Sequence, residues 1–513
     1  MTLPLIECPL RRMALSSPDC AAVKVNDRSV SALQLDAWVE DYRQQLASRL
    51  SAGDRLLVIL QDKLETVVVM LACLRSGLVY CPVNPVFPES RILDYAANIG
   101  ASAYVTDNHF NPESIVPVGR PALTARMVAV DSLVVLDRKV IVDLIPTSGT
   151  TGVPKAVAHC LDNHLFSARG SAAVIELTQG DGWLLSLPLF HVGGFSIVIR
   201  CLMAGACMLI DQQGLPLSRL LNAMPVTHIS LVNTQLQQIV QGDHCIDLAG
   251  TRLKTILLGG GVASAPLVRT VQEKNIQILT TYGMTEMSSQ VCTGVPQFTS
   301  EGVTSGEVLP YRRVKIASDG EILVAGESLC LGYYFESQGS SRVVPVVDAE
   351  GWFHTGDLGE WVDQQIRVLG RKDNMLISGG ENIHPEEIEQ ALLACEDVAL
   401  AVVVAVTDAK FGQRPLAFVE MVGGTVNELE IKNFLADKIA RFKIPDRILP
   451  LPNKLSNELL KELPPEFAGQ KLFTGIKPNR RLLQELAGSL LIKTATNATF
   501  VVMIKAQAAL LDF

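Results

Sequence analysis

Pro146-Thr147-Ser148-Gly149-Thr150-Thr151-Gly152-Val153-Pro154-Lys155-Ala156-Val157 is the stretch whose reading decides the fold. It follows an apolar run over 140–145, interrupted only by Asp143, which reads as a short buried strand. The loop therefore leaves a strand edge. At its centre, hydroxyl side chains alternate with glycines that have no Cβ to hold a phosphate away, so backbone N–H and side-chain O–H groups can converge on one anion. Lys155 adds a mobile positive charge. The P-loop of nucleotide kinases places its second glycine directly before the lysine. Here Val153 and Pro154 separate Gly152 from Lys155, and no Gly-Lys-Ser/Thr occurs, so that reading fails.

A chain of 513 residues exceeds one hydrophobic core, and two or more domains are expected. Hydrophobic residues make up 48% and charged residues 19%, a globular composition, and the net charge of −9 argues against a nucleic-acid surface. The first ten residues hold no basic region followed by a long apolar run, and no stretch approaches the ~20 apolar residues of a membrane span. A cytoplasmic protein without integral membrane association is the expectation. The 11 cysteines are scattered without CxxC pairs, as buried free thiols of a reducing compartment would be.

Outward from the loop, amphipathic helices over 32–50 and 65–76 alternate with strands over 55–60 and 80–83, a pattern of α/β wrapping. After the loop, the segment from Trp183 reads as a buried strand that breaks at Pro188 and opens a helix through Met203. His191 precedes Gly193-Gly194 there and is a candidate pocket wall, whereas His109, His164 and His244 read as surface residues. Arg200 lies in the same apolar helix, where a cation must be paired, either with an Asp or Glu of the fold or with a substrate carboxylate. Strands over 254–258 and 277–281 run into Gly259-Gly260-Gly261 and Tyr282-Gly283-Met284-Thr285-Glu286, and strand ends bearing glycine and an aromatic suit a purine. Asp357 falls in a glycine-flanked stretch, 354–359, read as a tight turn able to accept two ribose hydroxyls. Beyond 370–374 the character changes: a glycine-rich stretch opens a helix at Pro385, followed by strands over 398–406 and 416–422 and a helix over 428–440, a small α+β unit.

The loop, the Leu187-Pro188-Leu189-Phe190-His191 segment, the Tyr282–Glu286 segment, Gly356-Asp357 and Gly370-Arg371-Lys372-Asp373 occur in the order of the signatures of the adenylate-forming superfamily of acyl-CoA synthetases, adenylation domains and luciferases, which this chain resembles over roughly 22–486. The resemblance implies a large N-terminal α/β domain of packed sheets and helices over 1–371, a small mobile C-terminal α+β domain over 372–486, and an unassigned apolar tail over 487–513. It implies ATP, Mg²⁺ and CoA as partners in chemistry, with a small-molecule carboxylic acid as substrate, no nucleic acid, and a homo-oligomer left open. Thr147, Ser148, Gly149, Thr150, Thr151, Gly152 and Lys155 would cradle phosphates, Gly259, Gly260 and Gly261 would pass against the adenine, and Tyr282 would stack on it beside Gly283. Thr285 would meet the α-phosphate, Glu286 would hold Mg²⁺, and Asp357 and Arg371 would hold the nucleoside. His191 would line the acyl pocket, Asp373 would be the hinge, and Gly379-Gly380 would border the pantetheine tunnel. Lys477, in competition with Lys454, Lys461 and Lys471, would reach the α-phosphate as the catalytic lysine of the C-terminal domain.

Within the superfamily, 185–194 with Arg200, the 231–236 segment and the 257–261 strand end are similar to the o-succinylbenzoate-CoA ligases of menaquinone biosynthesis. The resemblance implies that the succinyl carboxylate is activated near Gly260 while Arg200 anchors the benzoate. Asn233 stands where proline is expected in those enzymes. Three alternatives remain: another aryl- or medium-chain acyl-CoA ligase, a carrier-protein loading enzyme, and a catalytically silent nucleotide-binding protein.

Overall fold

The run Lys63–Ser76 is buried at every position from Leu64 to Cys73, not along one stripe, and such a helix is stable only when other elements surround it. Asp62 caps its start by accepting from the Glu65 N–H at 2.9 Å, and Gly77, at φ +67°, ends it in the left-handed conformation. In this computed structural model, which describes residues 5–124, 132–147, 154–241, 245–261, 263–300, 302–337, 340–395, 397–408, 410–422, 425–452, 473–474 and 477–496, the helix lies in a core that draws on two large sheets. Leu56, Val58 and Tyr80 enter that core from one sheet and Trp183, Met208 and Leu257 from the other. The helix Val192–Ala204 joins it through Phe195, whose ring stands 6.1 Å from Tyr80.

Among the described residues the first sheet has 8 strands, with Val79–Pro82, Arg55–Ile59 and Ala103–Thr106 parallel at its centre. Its other half is the antiparallel hairpin Ile141–Thr147 and Lys155–Cys160, on which Gly332–Ser337 and Ser340–Val344 are stacked. The second sheet has 13 strands. Gly182–Leu184, His228–Leu231, Thr255–Leu258 and Gln277–Met284 run parallel, so their carboxyl ends share one edge, where open α/β sheets place ligands. The α/β class expected from the sequence is the class observed. No helix among the described residues is long and apolar enough to cross a membrane.

C-terminal to Arg371 a further sheet forms around the hairpin Val398–Asp408 and Gly412–Met421. The near-continuous apolar run of Val398–Asp408 is explained by burial on both faces. Ala401 and Val403 face a cluster with Ile388, Leu392 and Leu435, whereas Val402, Val404 and Val406 face Leu482, Leu483, Leu486 and Ala487. The second cluster belongs to the helix Arg480–Thr496. The helix runs on to Thr496, so its course does not break at 487, and the remainder, 497–513, lies outside the described residues.

Candidate active site

The hairpin Ile141–Thr147 and Lys155–Cys160 brings Thr147 opposite Lys155 and leaves the two at the loop end of the sheet. Residues 148–153, which hold Ser148, Gly149, Thr150, Thr151 and Gly152, lie outside the described residues. Pairing of Lys155–Cys160 with Gly332–Ser337 places Tyr333 opposite Val157. Its ring centroid is 4.8 Å from Lys155 Nζ, and its hydroxyl donates to Glu286 Oε1 at 2.9 Å. One aromatic ring thus touches both the lysine of the loop and the acid expected to hold a metal. Glu286 Oε2 has no hydrogen-bond partner among the described residues. A partly exposed carboxylate with one oxygen open, beside a phosphate loop, fits the preference of Mg²⁺ for one or two carboxylates completed by phosphate oxygens.

Behind this edge lies a buried polar cluster. Asp143 Oδ1 is 2.7 Å from His159 Nδ1 and its Oδ2 is 2.5 Å from His164 Nε2, and all three side chains are sealed from solvent. His164 is therefore not a surface residue: its ring packs 4.2 Å from Phe195, and Asp143 supplies its polar partner. His159 Nε2 lies 2.8 Å from the carbonyl oxygen of Thr285. Both nitrogens of His159 then face acceptors, so the ring donates twice as an imidazolium. Burial opposes that charge, but the Asp143 carboxylate and the Thr285 carbonyl raise its pKa above the ordinary value. His164, whose Nδ1 finds no partner, is moved the other way by burial and is neutral. The nitrogen–oxygen spacings are those of hydrogen bonds, shorter than the ~3 Å that two ligand atoms at about 2.1 Å from a shared metal ion require. The cluster is an ion pair that pins Thr285, one residue before Glu286. Asp143→Ala, which strips the counter-charge from His159 and the partner from His164, is expected to cost about 3–5 kcal/mol of stability. A wild-type midpoint in urea unfolding would show that the cluster contributes nothing.

On the nucleoside side, the strand Gln277–Met284 extends past its expected end and carries Tyr282 within it. The Tyr282 hydroxyl donates to Asp357 Oδ2 at 2.6 Å, and Arg371 Nη1 donates to Asp357 Oδ1 at 3.0 Å. The tight turn expected around Asp357 is instead part of the strand Phe353–Val362, kinked where Gly356 adopts φ +71° and paired so that Asp357 faces Arg371. A carboxylate has about four acceptor positions, so one side chain can serve several donors at once. Gly260 turns at φ +82°, and a Cβ on Gly259 would stand 2.6 Å from the Thr281 methyl, so the chain at Gly259 passes close along its neighbouring strand, whereas a Cβ on Gly261 would meet open space. A Cβ on Gly283 would meet the Ser289 carbonyl oxygen at 2.0 Å.

His191 and Arg200 are not brought together. His191 is the exposed residue before the first turn of Val192–Ala204, with its ring 4.7 Å from Phe190. Nine residues further on, about 13 Å along the axis and half a turn around it, Arg200 is 5% exposed. Its Nη2 donates to Gln290 Oε1 at 2.7 Å and reaches Ser289 Oγ at 3.4 Å, its guanidinium lies 5.4 Å from the Trp183 ring, and its Nε has no partner. Burial and the nearby Arg312 cation lower its pKa to about 9, which leaves it charged at neutral pH. The structural salt bridge that the sequence left open is absent among the described residues. Asn233 opens the helix Asn233–Val240 and accepts from the Ser264 N–H at 2.9 Å, so it fastens the 259–264 segment where proline was expected.

Around the proposed hinge, Arg371 Nε donates to Asp373 Oδ1 at 2.8 Å. Gly379 and Gly380, at φ +59° and +91°, form the two-residue turn between Leu376–Ser378 and Glu381–Ile383. Lys477 begins the two-residue strand Lys477–Pro478, and its side chain lies outside the described residues, as do Lys454, Lys461 and Lys471.

Compared with known proteins, residues 10–334 match the family model "AMP-binding enzyme" and residues 387–457 match "AMP-binding enzyme C-terminal domain". The 2-succinylbenzoate–CoA ligase of Salmonella typhimurium is 33% identical over 93% of this chain and 97% of its own. That of Escherichia coli K12 is 33% identical over 88% and 96%. Among solved structures, E. coli MenE with bound OSB-AMS has a TM-score of 0.78 at 31% identity, covering 89% of this chain and 98% of that one. The o-succinylbenzoate CoA synthetase of Bacillus subtilis in complex with the acyl-adenylate intermediate OSB-AMP has a TM-score of 0.78 at 29% identity, covering 94% and 98%. The same enzyme with ATP and magnesium ion scores 0.76 at 29% identity, covering 88% and 97%. A family model that runs from Leu10 through the Lys155 hairpin to Tyr334, with these relatives matched over nearly their whole length, makes the assignment plain: the chain belongs to the AMP-binding enzyme family.

Proposed function

We propose that this protein is an o-succinylbenzoate-CoA ligase that converts its acid to an acyl-adenylate with ATP and then to a CoA thioester. The observation that carries the choice of acid is Arg200, a buried guanidinium whose partners among the described residues are all neutral. A buried cation without a counter-ion is costly, and an acid with a second carboxylate supplies what the fold withholds. The identity to curated 2-succinylbenzoate–CoA ligases supports the same reading.

A carboxylate is a poor acyl donor because its oxygen leaves badly. In the first step a substrate carboxylate oxygen bonds to the α-phosphorus of ATP, the α–β bridging bond breaks, and pyrophosphate leaves with the electron pair. Thr147, the 148–152 loop and Lys155 offset charge on the β- and γ-phosphates, and Thr285, pinned by His159, faces the α-phosphate. Glu286 would hold Mg²⁺, which would supply neutralisation of phosphate charge. Tyr282, Asp357, Arg371 and the glycine triplet hold the adenosine. In the second step the CoA sulfur bonds to the acyl carbon, AMP leaves, and the thiol proton passes to solvent.

Between the steps the C-terminal part, from 372 through the helix ending at Thr496, rotates on Asp373 relative to 1–371, withdrawing Lys477 and presenting the Gly379-Gly380 turn to CoA. Asp373→Pro, which fixes one backbone dihedral of that hinge, should spare pyrophosphate release and slow thioester formation. Equal loss of both half-reactions would count against rotation.

The test is pyrophosphate release with ATP, Mg²⁺ and a panel of o-succinylbenzoate, benzoate, cinnamate and octanoate, each with and without CoA. Release with o-succinylbenzoate alone, joined by a thioester when CoA is added, is expected. Release with another acid would keep the chemistry and discard the substrate. No release with any acid would favour a silent nucleotide-binding protein.

A further inference from the structure

We infer that Gln290 is a selectivity residue: it holds the Arg200 fork with a neutral oxygen, so that the guanidinium stays uncompensated and the pocket favours acids that carry a second carboxylate. The inference rests on the reading of the acid pocket given above.

Arg200 and Arg312 are both buried, and among the described residues both are held by neutral acceptors alone. Arg312 Nε donates to the Gln290 carbonyl at 2.8 Å, and its Nη atoms reach the carbonyls of Pro310 at 2.8 Å, Phe166 at 3.3 Å and Ser167 at 3.2 Å. Gln290 therefore stands between two cations, its side chain on one and its backbone on the other. Its amide can be oriented only one way. A guanidinium only donates, so Oε1 must face Arg200, and Nε2 donates to Thr293 Oγ1 at 2.6 Å. The segment leading to it is strained: Ser288 and Ser289 adopt φ +52° and +108°, a conformation side chains rarely take, and the absence of a Cβ at Gly283 lets the Ser289 carbonyl sit against it. That strain sets Ser289 Oγ and Gln290 Oε1 on the same face as Arg200 Nη2.

A glutamate has the same shape as Gln290 and would place an anion where a neutral oxygen now lies 2.7 Å from the guanidinium. It would complete an internal ion pair and repel an incoming carboxylate. Leucine would remove the acceptor without adding charge.

The experiment compares wild type, Gln290→Glu and Gln290→Leu for affinity toward o-succinylbenzoate and toward its analogue lacking the benzoate carboxylate, with ATP affinity as the check of folding. In Gln290→Glu, affinity for o-succinylbenzoate should fall roughly 100-fold or more, as like-charge juxtaposition in a buried site dictates, and affinity for the analogue far less. Gln290→Leu should retain most of the wild-type preference for the dicarboxylate. Equal weakening of both acids in Gln290→Glu, or loss of the preference in Gln290→Leu as large as in Gln290→Glu, overturns the assignment to Gln290. A wild type that binds the two acids equally overturns the acid pocket itself, before Gln290 is in question.

Discussion

Glu286→Ala is expected to slow pyrophosphate release by roughly 10²–10³-fold, the loss that follows removal of one preorganised electrostatic partner of a transition state. The surrounding backbone has its own supports. Cys330 N–H donates to the Glu286 carbonyl at 2.7 Å, and His159 holds the Thr285 carbonyl at 2.8 Å. The variant therefore keeps its turn and loses the carboxylate charge. Glu286→Gln, which can still accept from the Tyr333 hydroxyl, should be nearly as slow, and both should require more Mg²⁺ for half-maximal rate. Release at the wild-type rate and wild-type Mg²⁺ dependence would remove Glu286 from the metal site.

Arg200→Ala should weaken o-succinylbenzoate binding by about 2–5 kcal/mol, the usual cost of removing one partner of a buried, hydrogen-bonded charge pair. The analogue without the benzoate carboxylate should lose much less, because the methylene stem and the Trp183 contact are all that it could forfeit. Rates of adenylation at saturating acid should change little for either, since Arg200 anchors the ring end and the reaction takes place at the succinyl carboxylate. Equal weakening of both acids would make Arg200 a packing residue.

Lys155, Glu286, Asp357 and Arg371 were legible in the sequence because each sits in a short motif whose neighbours carry the signal. The strand that runs into Glu286 was legible as well, as an apolar run over 277–281, but the stretch around Asp357 read as a tight turn and lies in the strand Phe353–Val362. What the sequence hid are partnerships across the fold. His164, 21 residues after Asp143, has no local sign of burial: it sits on the helix Leu161–Ser171, and its partner lies on the strand Ile141–Thr147. A sign was present in Asp143 itself: a carboxylate in a buried strand demands a donor, and the hairpin strand and helix that follow carry two histidines. Tyr333 reaches the site only because Gly332–Ser337 crosses back to pair with Lys155–Cys160, a register that no periodicity encodes. The boundary at 486 falls inside the helix Arg480–Thr496, whose partners Val402 to Val406 had been read as one strand without asking what covers its second face.

With Glu286 as the proposed holder of Mg²⁺ and Lys155 as the proposed phosphate contact, Tyr333 would link the two bindings. Its ring sits against the ammonium of Lys155 while its hydroxyl is engaged by Glu286, so a cation arriving at the carboxylate disturbs the hydroxyl and a phosphate arriving at the lysine disturbs the ring. Thermodynamic reciprocity then requires that the factor by which magnesium changes nucleotide affinity equal the factor by which nucleotide changes magnesium affinity. Phenylalanine at this position would cut the hydroxyl link while leaving the ring in place, and the part of that factor that passes through the protein, and not through the phosphates themselves, would vanish.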